Sequence, residues 1–326
     1  MNTIIKNPIL SICIPTFNRS SLLDECLKSI IKSIENSSNF ENLIEIIISD
    51  NCSTDDTYII ANKFCNRYNF IKYHRNEINV IDLNFYFAVE RASGKYVWIF
   101  GDDDIFNPNT LNTIFYYLYK DYTLIISNYS LWNYSLNKCL KQKYLDLDKL
   151  TEIYDHNTLM RIFGLRLAFI SCVIIKRNTF LLFDKEIYSR YVSTGFPFLL
   201  TVYFTQINNC YALYISNSVF IQRGSPKHAP IEWWYQTFLT GSNLIFDLLR
   251  NFGYSKSVVT RSKLNVLTHD IKQDIIYRKV HKESIIYIWK NIFITYYKFP
   301  INMFITLFYL FTPSLIFRFF FKLKNG

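Results

Sequence analysis

Apolar residues in the first hundred positions follow two rhythms. Residues 10–15 (LSICIP), 43–50 (LIEIIISD), 70–75 (FIKYHR) and 95–100 (KYVWIF) are short, nearly continuous runs, the mark of strands buried on both faces. Between them the spacing changes. Leu22, Leu23, Cys26, Leu27, Ile30, Ile31 and Ile34 recur three and four apart, which predicts a helix over 19–34. Two more helices are predicted over 53–68, opened by N-capping residues, and over 82–92. Strand and helix in strict alternation predict an α/β fold with a mostly parallel central sheet flanked by helices.

Beyond residue 115 the pattern loosens. Residues 122–128 (YTLIISN), 165–177 and 211–224 read as further strands, and 132–157 as a polar excursion. From about residue 231 the rhythm is helical to the end, with Leu264, Leu267, Ile271, Ile275 and Val280 on one stripe. Two domains are expected, 1–228 and a helical C-terminal region over 229–326.

Charge sharpens that division. The net charge of +10 is carried almost wholly by residues 251–326, which hold twelve Lys or Arg against three acids. Within that tail, 299–317 (FPINMFITLFYLFTPSLIF) has no charge, is interrupted by Pro300 and Pro313, and is bracketed by Lys298, Arg318, Lys322 and Lys324. Nineteen such residues are long enough to cross a bilayer. The prolines and basic flanks favour a segment lying in the interface of an anionic membrane, with a buried hairpin as the plain alternative. The basic residues are interleaved with apolar runs and no recognition motif accompanies them, so nucleic acid is not expected as a partner. Seven cysteines without a C-x-x-C pair read as buried thiols. The N-terminus lacks the pattern of a signal peptide, so the expected location is cytoplasmic, peripheral on the inner face of the cell membrane.

The chemistry concentrates at the strand ends. Ligands of such sheets bind past the carboxyl ends of the strands, and here those ends carry PTFNR, SDNCSTDD and GDDD. Asp102, Asp103 and Asp104 are consecutive and follow six uncharged residues, so their mutual repulsion calls for a cation or a protein base. A hard divalent ion, Mn²⁺ or Mg²⁺, suits carboxylate oxygens and needs only one or two when a diphosphate supplies the rest. Neither G-x-G-x-x-G nor a P-loop occurs, so metal and side chains would have to hold any diphosphate.

Three stretches, LSICIPTFNRSSLLDECLKSI, IEIIISDNCSTDDT and NVIDLNFYFAVERASGKYVWIFGDDD, closely resemble successive motifs of family 2 glycosyltransferases with the GT-A fold, and within them the abequosyltransferase-like branch of bacterial surface polysaccharide synthesis. The resemblance is strong over residues 8–115 and weaker up to about 225. It implies a metal-dependent transfer of sugar from a nucleotide-sugar donor to a hydroxyl of a glycan, with a lipid-linked oligosaccharide acceptor explaining the tail. By the same resemblance Pro15, Thr16 and Asn18 would line the nucleotide pocket, and Asp50 would recognise the base with Asn51 and Ser53 beside it. Asn84 matches an asparagine of the branch. Asp102 and Asp103 would face ribose and diphosphate, and Asp104, with Asp102, would bind the metal. Inverting members use a downstream carboxylate as base; Asp184 and Glu186 are the nearest acids, each reading more readily as a surface charge. A catalytically inactive sugar-nucleotide-binding relative, and a nucleotidyltransferase on a similar sheet, stay open as alternatives.

Overall fold

Strand β1 (Leu10–Thr16) and strand β2 (Ile44–Asp50) are buried at every position, as their unbroken apolar sequences require. A computed structural model describes residues 8–37, 40–80, 82–225, 230–283, 285 and 288–318. Residues 1–7, His228, the expected boundary at 228/229, Lys322 and Lys324 lie outside that set. The chain forms two compact units: Met1–Leu159 with Arg166–Val192 and Pro197–Lys227, and Met160–Leu165 with Ser193–Phe196 and His228–Gly326.

The first unit is built on a sheet of ten strands among the described residues. After β1 and β2 come β3 (Ile71–Arg75), β4 (Tyr96–Ile99), β5 (Ile105–Phe106), β6 (Leu124–Trp132), β7 (Cys139–Lys141), β8 (Thr151–Ile153), β9 (Val173–Lys176) and β10 (Ala212–Arg223). Their order is β3-β2-β1-β4-β9-β6-β10-β5, with β7 beside β6 and β8 beside β10. The half β3-β2-β1-β4 is parallel and carries helices α1 (Ser20–Glu35), α2 (Thr57–Arg67) and α3 (Leu83–Arg91) as its crossovers.

The other half corrects the expected mostly parallel sheet. β9 runs antiparallel to both β4 and β6, β5 and β8 run antiparallel to β10, and β7 runs antiparallel to β6. The sheet is therefore mixed. The apolar run at 165–177 yields only four residues of strand, because Gly164–Ala168 and Ile170–Cys172 form 3₁₀ turns. Helices α4 (Thr110–Leu118), α5 (His156–Phe163), α6 (Arg177–Phe180), α7 (Lys185–Arg190) and α8 (Pro197–Thr205) complete the order up to β10.

Glu45 locks the parallel half together. It points from β2 into the sheet, almost wholly buried, and accepts from Ser11 Oγ at 2.6 Å, Lys72 Nζ at 2.8 Å and the backbone N–H of Ser93. Burial alone would raise its pKa; the bonds from Lys72, Ser11 and Ser93 outweigh that and hold it below the ordinary value. Gly94 belongs to the same knot: a Cβ there would stand 2.5 Å from Ser11 Oγ, so only glycine fits. Further along β4, Trp98 and Phe100 pack with Phe106 and Phe220 in an aromatic cluster directly under the aspartate loop.

The second unit is helical: α9 (Ile231–Tyr235), α10 (Ser242–Asn251), α11 (Lys256–Asn265), α12 (Lys272–Val280), α13 (Trp289–Tyr296) and α14 (Pro300–Phe311). Single π-helical stretches, Gln236–Gly241 and Val266–Ile271, join α9 to α10 and α11 to α12. Arg278, buried in this unit, is paired with Asp274 at 2.7 Å and Glu283 at 2.6 Å, the partners a buried guanidinium needs. No helix among the described residues is long and apolar enough to cross a membrane.

Candidate active site

The parallel register sets Thr16 opposite Asp50 and Cys13 opposite Ile99, so β1, β2 and β4 end at one edge of the sheet and their loops must meet. They are tied by side chains. Thr16 Oγ1 donates to Asp102 Oδ2 at 2.7 Å, joining the first loop to the aspartates. Asn18 turns the chain with φ 53°, a conformation asparagine tolerates. Its Oδ1 accepts from the Thr54 N–H at 2.7 Å and its own N–H donates to Ser53 Oγ at 2.9 Å, joining the first loop to the second. Asp50, fully buried, accepts from the Ser53 N–H at 2.9 Å and Tyr73 Oη at 2.6 Å. In this arrangement Asn18, Asp50 and Ser53 shape the loops.

The three aspartates have three different environments. Asp102 is buried; burial pushes its pKa up to about 6, against the pull of the Arg19 guanidinium. Asp104 is buried more deeply still, and both its oxygens are engaged, Oδ2 by Ser171 Oγ at 2.6 Å and Oδ1 by the Arg223 N–H at 3.1 Å. Burial, then the neighbouring Asp103 charge, raises its pKa well above the ordinary value. Asp103 has a side chain 35% exposed and is the most open of the three. The cation that the sequence called for is a guanidinium: Arg19 Nη1 lies 2.9 Å from Asp102 Oδ1 and 3.3 Å from Asp103 Oδ2. Arg223 is a brace of another kind. Its Nε donates to the Asp103 carbonyl at 3.0 Å and its Nη1 to the Tyr134 carbonyl at 2.8 Å, while Nη2 pairs with Glu25.

A cleft of about 350 Å³ opens beside this cluster. Of the residues expected at the site, Pro15, Thr16, Asn51, Asn84 and Asp102 line it. Its far wall is an amide network: Asn51 Oδ1 accepts from Asn76 Nδ2 at 3.1 Å, and Asn84 Oδ1 accepts from Asn76 Nδ2 at 2.9 Å and Ser49 Oγ at 2.7 Å. Phe17, Arg19, Asn79, Asp82 and Phe85 also face the cleft without having been singled out as site residues. Arg19 was signalled by its place directly after PTFN, and Asp82 by its place two residues before Asn84. Burial pushes the Asp82 carboxyl up to about 6. Ser171 and Arg223 had no local signal, since they reach Asp104 from 67 and 119 positions along the chain.

Asp184 and Glu186 are not among the residues lining the cleft. Asp184 caps α7, its Oδ1 accepting from the N–H groups of Glu186 at 2.8 Å and Ile187 at 3.0 Å, and Glu186 is largely exposed, 4.0 Å from Arg190. Among the described residues no three His, Cys, Asp or Glu side chains gather as a metal site. Two carboxylates do converge, on the point Arg19 Nη1 fills, and that donor set suits a hard divalent ion completed by ligand oxygens.

Comparison with known proteins gives the same reading. The model of glycosyl transferase family 2 matches residues 11–174. Abequosyltransferase RfbV of Salmonella typhimurium is 31% identical over 230 residues, 66% of this chain and 67% of that protein. The GalNAc(5)-diNAcBac-PP-undecaprenol beta-1,3-glucosyltransferase of Campylobacter jejuni is 34% identical over 123 residues, 37% of this chain and 38% of that one. Among solved structures, S. aureus TarS 1-349 in complex with UDP superposes with a TM-score of 0.61 at 17% identity, covering 87% of this chain and 78% of that one. Mannosyltransferase PcManGT from Pyrobaculum calidifontis, in complex with GDP-Man and Mn²⁺, superposes with a TM-score of 0.54 at 12% identity, covering 83% and 72%. These likenesses agree with a GT-A-like α/β fold whose mixed sheet is flanked by helices. On the matched motifs and the extent of the match, the chain belongs to glycosyl transferase family 2, in its abequosyltransferase-like branch.

Proposed function

We propose that this glycosyltransferase moves a hexosyl or deoxyhexosyl group from a nucleoside diphosphate sugar to a hydroxyl of a lipid-linked glycan in bacterial surface polysaccharide synthesis. The observation that carries the reading is that Asp102 and Arg19 line a 350 Å³ cleft at the strand ends, with Asp103 paired to the same Arg19 nitrogen. Asp103 and Asp102 would hold Mn²⁺ or Mg²⁺. In this reading Asp103, the most open of the three acids, takes the role expected of Asp104, which is the most deeply buried and is bonded to Ser171 Oγ and the Arg223 N–H. When bound, the cation offsets negative charge building on the diphosphate as it leaves. The chain's own groups supply recognition: Phe17, 40% exposed beside Pro15, offers a ring face to a base, and the Asn51 side chain, whose Nδ2 donates to Asn79 Oδ1 at 2.6 Å, fixes the shape of the wall beside it.

The lipid-linked acceptor is supported by the Campylobacter relative, whose name specifies an undecaprenol-linked substrate. In this reading residues 1–228 are the catalytic domain, and the helical remainder holds the protein on the inner face of the cell membrane. Isothermal titration with UDP, GDP, CDP and TDP, each with and without Mn²⁺, tests the donor site. One nucleotide should bind, only with Mn²⁺, and Asp103→Asn should weaken that binding by roughly tenfold or more, as loss of a charged metal ligand does. Absence of nucleotide binding under every condition would refute the reading.

A further inference from the structure

Arg19 stands where a cation would stand, and its surroundings differ from those of the groups it touches. A single nitrogen, Nη1, bridges Asp102 Oδ1 and Asp103 Oδ2, so a metal drawing on both carboxylates would compete with it for the same oxygens. The acids are fixed from behind. Asp102 is held by Thr16 Oγ1, Asp104 by Ser171 Oγ and the Arg223 N–H, and the Asp103 carbonyl by Arg223 Nε. None of these holds depends on Arg19. The Arg223 guanidinium cannot take over, since its hydrogen bonds go to two carbonyls and Glu25. The Arg19 side chain is loosely kept: it is 50% exposed, it faces the cleft, and the only hydrogen bonds and ion pairs of its guanidinium among the described residues go to these two carboxylates.

We infer that Arg19 is an exchangeable internal counter-ion, which holds Asp102 and Asp103 before the divalent cation binds and moves to the donor's diphosphate once the cation displaces it. The inference rests on the donor reading given above. Its physical logic is charge conservation in a semi-enclosed site. Metal alone must evict a guanidinium from two carboxylates and leave it without a partner, whereas metal with a diphosphate evicts it and supplies phosphate oxygens that its planar fork can pair with bidentately. Metal and nucleotide should therefore each strengthen the binding of the other, with Arg19 as the coupling element.

The experiment is Mn²⁺ titration, followed by electron paramagnetic resonance, on the full chain and on Arg19→Gln, with and without the nucleoside diphosphate bound from the panel of UDP, GDP, CDP and TDP. Circular dichroism checks that both are folded. In Arg19→Gln, Mn²⁺ alone should bind roughly two- to fivefold tighter, the worth of the partly exposed ion pair removed. The same variant should bind nucleotide in saturating Mn²⁺ roughly tenfold more weakly, the worth of a charge-assisted contact. Arg19→Lys, which keeps the charge and loses the planar fork, should fall between. Unchanged or weaker Mn²⁺ binding by folded Arg19→Gln, in a protein whose wild type binds Mn²⁺ with nucleotide, overturns the exchange and leaves the donor site standing. Failure of the wild type to bind either ligand overturns both.

Discussion

Asp103 and Asp104 are adjacent in sequence and opposite in circumstance, which makes them separable by experiment. Asp104→Ala strips the acceptor from the Ser171 hydroxyl and the buried Arg223 N–H, and should cost about 1–3 kcal/mol of stability. Asp103→Ala removes an open side chain and should shift stability by no more than about 0.5 kcal/mol, while Mn²⁺-dependent nucleotide binding is lost. Urea unfolding of both variants, alongside nucleotide titration, checks the pair; equal losses of stability would refute the assignment. That three acids follow β4 was legible in the sequence, and so was the need for a counter-charge. Which acid faces out was not. The answer depends on a turn closed by the Asp104 N–H on the Gly101 carbonyl, and on Ser171 and Arg223, whose approach no local pattern encodes.

At the scale of elements, legibility followed the length of the pattern. β1, β2 and their helices were readable because seven-residue buried runs and a sixteen-residue amphipathic helix repeat their period often enough to be distinctive. β5, β7 and β8 have two or three residues each, too few for any period, and the antiparallel course of β9 is decided by its partners β4 and β6. The parallel half carries its own testable joint at Glu45. Its carboxylate is held below the ordinary value of 4.5, so it contributes stability that is present above that value and lost as pH falls through the folded pKa. Glu45→Gln keeps the size and the oxygen that accepts from Ser11 and Ser93, but removes the charge and turns an amide N–H2 toward Lys72 Nζ. It should cost about 1–2 kcal/mol at pH 7, the worth of a charge-assisted bond whose Lys72 end is half exposed. The difference between wild type and variant should shrink on acidification below pH 4.5, which unfolding curves at pH 7, 5 and 4 would reveal; a difference independent of pH would show that packing, and not charge, is what Glu45 supplies.

On the scale of the whole molecule, the charge imbalance and the apolar face of the C-terminal helices point the same way. On α14, Met303, Leu307 and Leu310 are buried in the second unit, while Ile301, Phe304, Ile305, Phe308 and Phe311 form a stripe at the opposite positions and are exposed, Ile301 by 75% and Phe308 by 70%. Trp289, Phe293 and Ile294 on α13 and Tyr297 just after it are exposed as well, and Lys290, Lys298 and Arg318 lie in the same stretch of chain. Water is a poor solvent for such a stripe, and a second apolar protein surface would gain nothing from the flanking cations. In the reading proposed above an anionic bilayer interface would satisfy both, and twelve residues of helix, ended by Pro313, suit lying in it better than crossing it. Flotation with vesicles containing phosphatidylglycerol should carry the protein to the top, and vesicles of phosphatidylcholine alone should do so far less. Replacing Ile301, Phe304 and Phe308 together by Ser should weaken vesicle binding by roughly a hundredfold or more, given about 1–2 kcal/mol for each partly inserted side chain. Nucleotide binding should be untouched in the same variant, which separates a lost anchor from a lost fold. High salt should weaken the wild type's binding through the basic flanks without abolishing it. Equal flotation of variant and wild type would mean that this face meets something other than lipid.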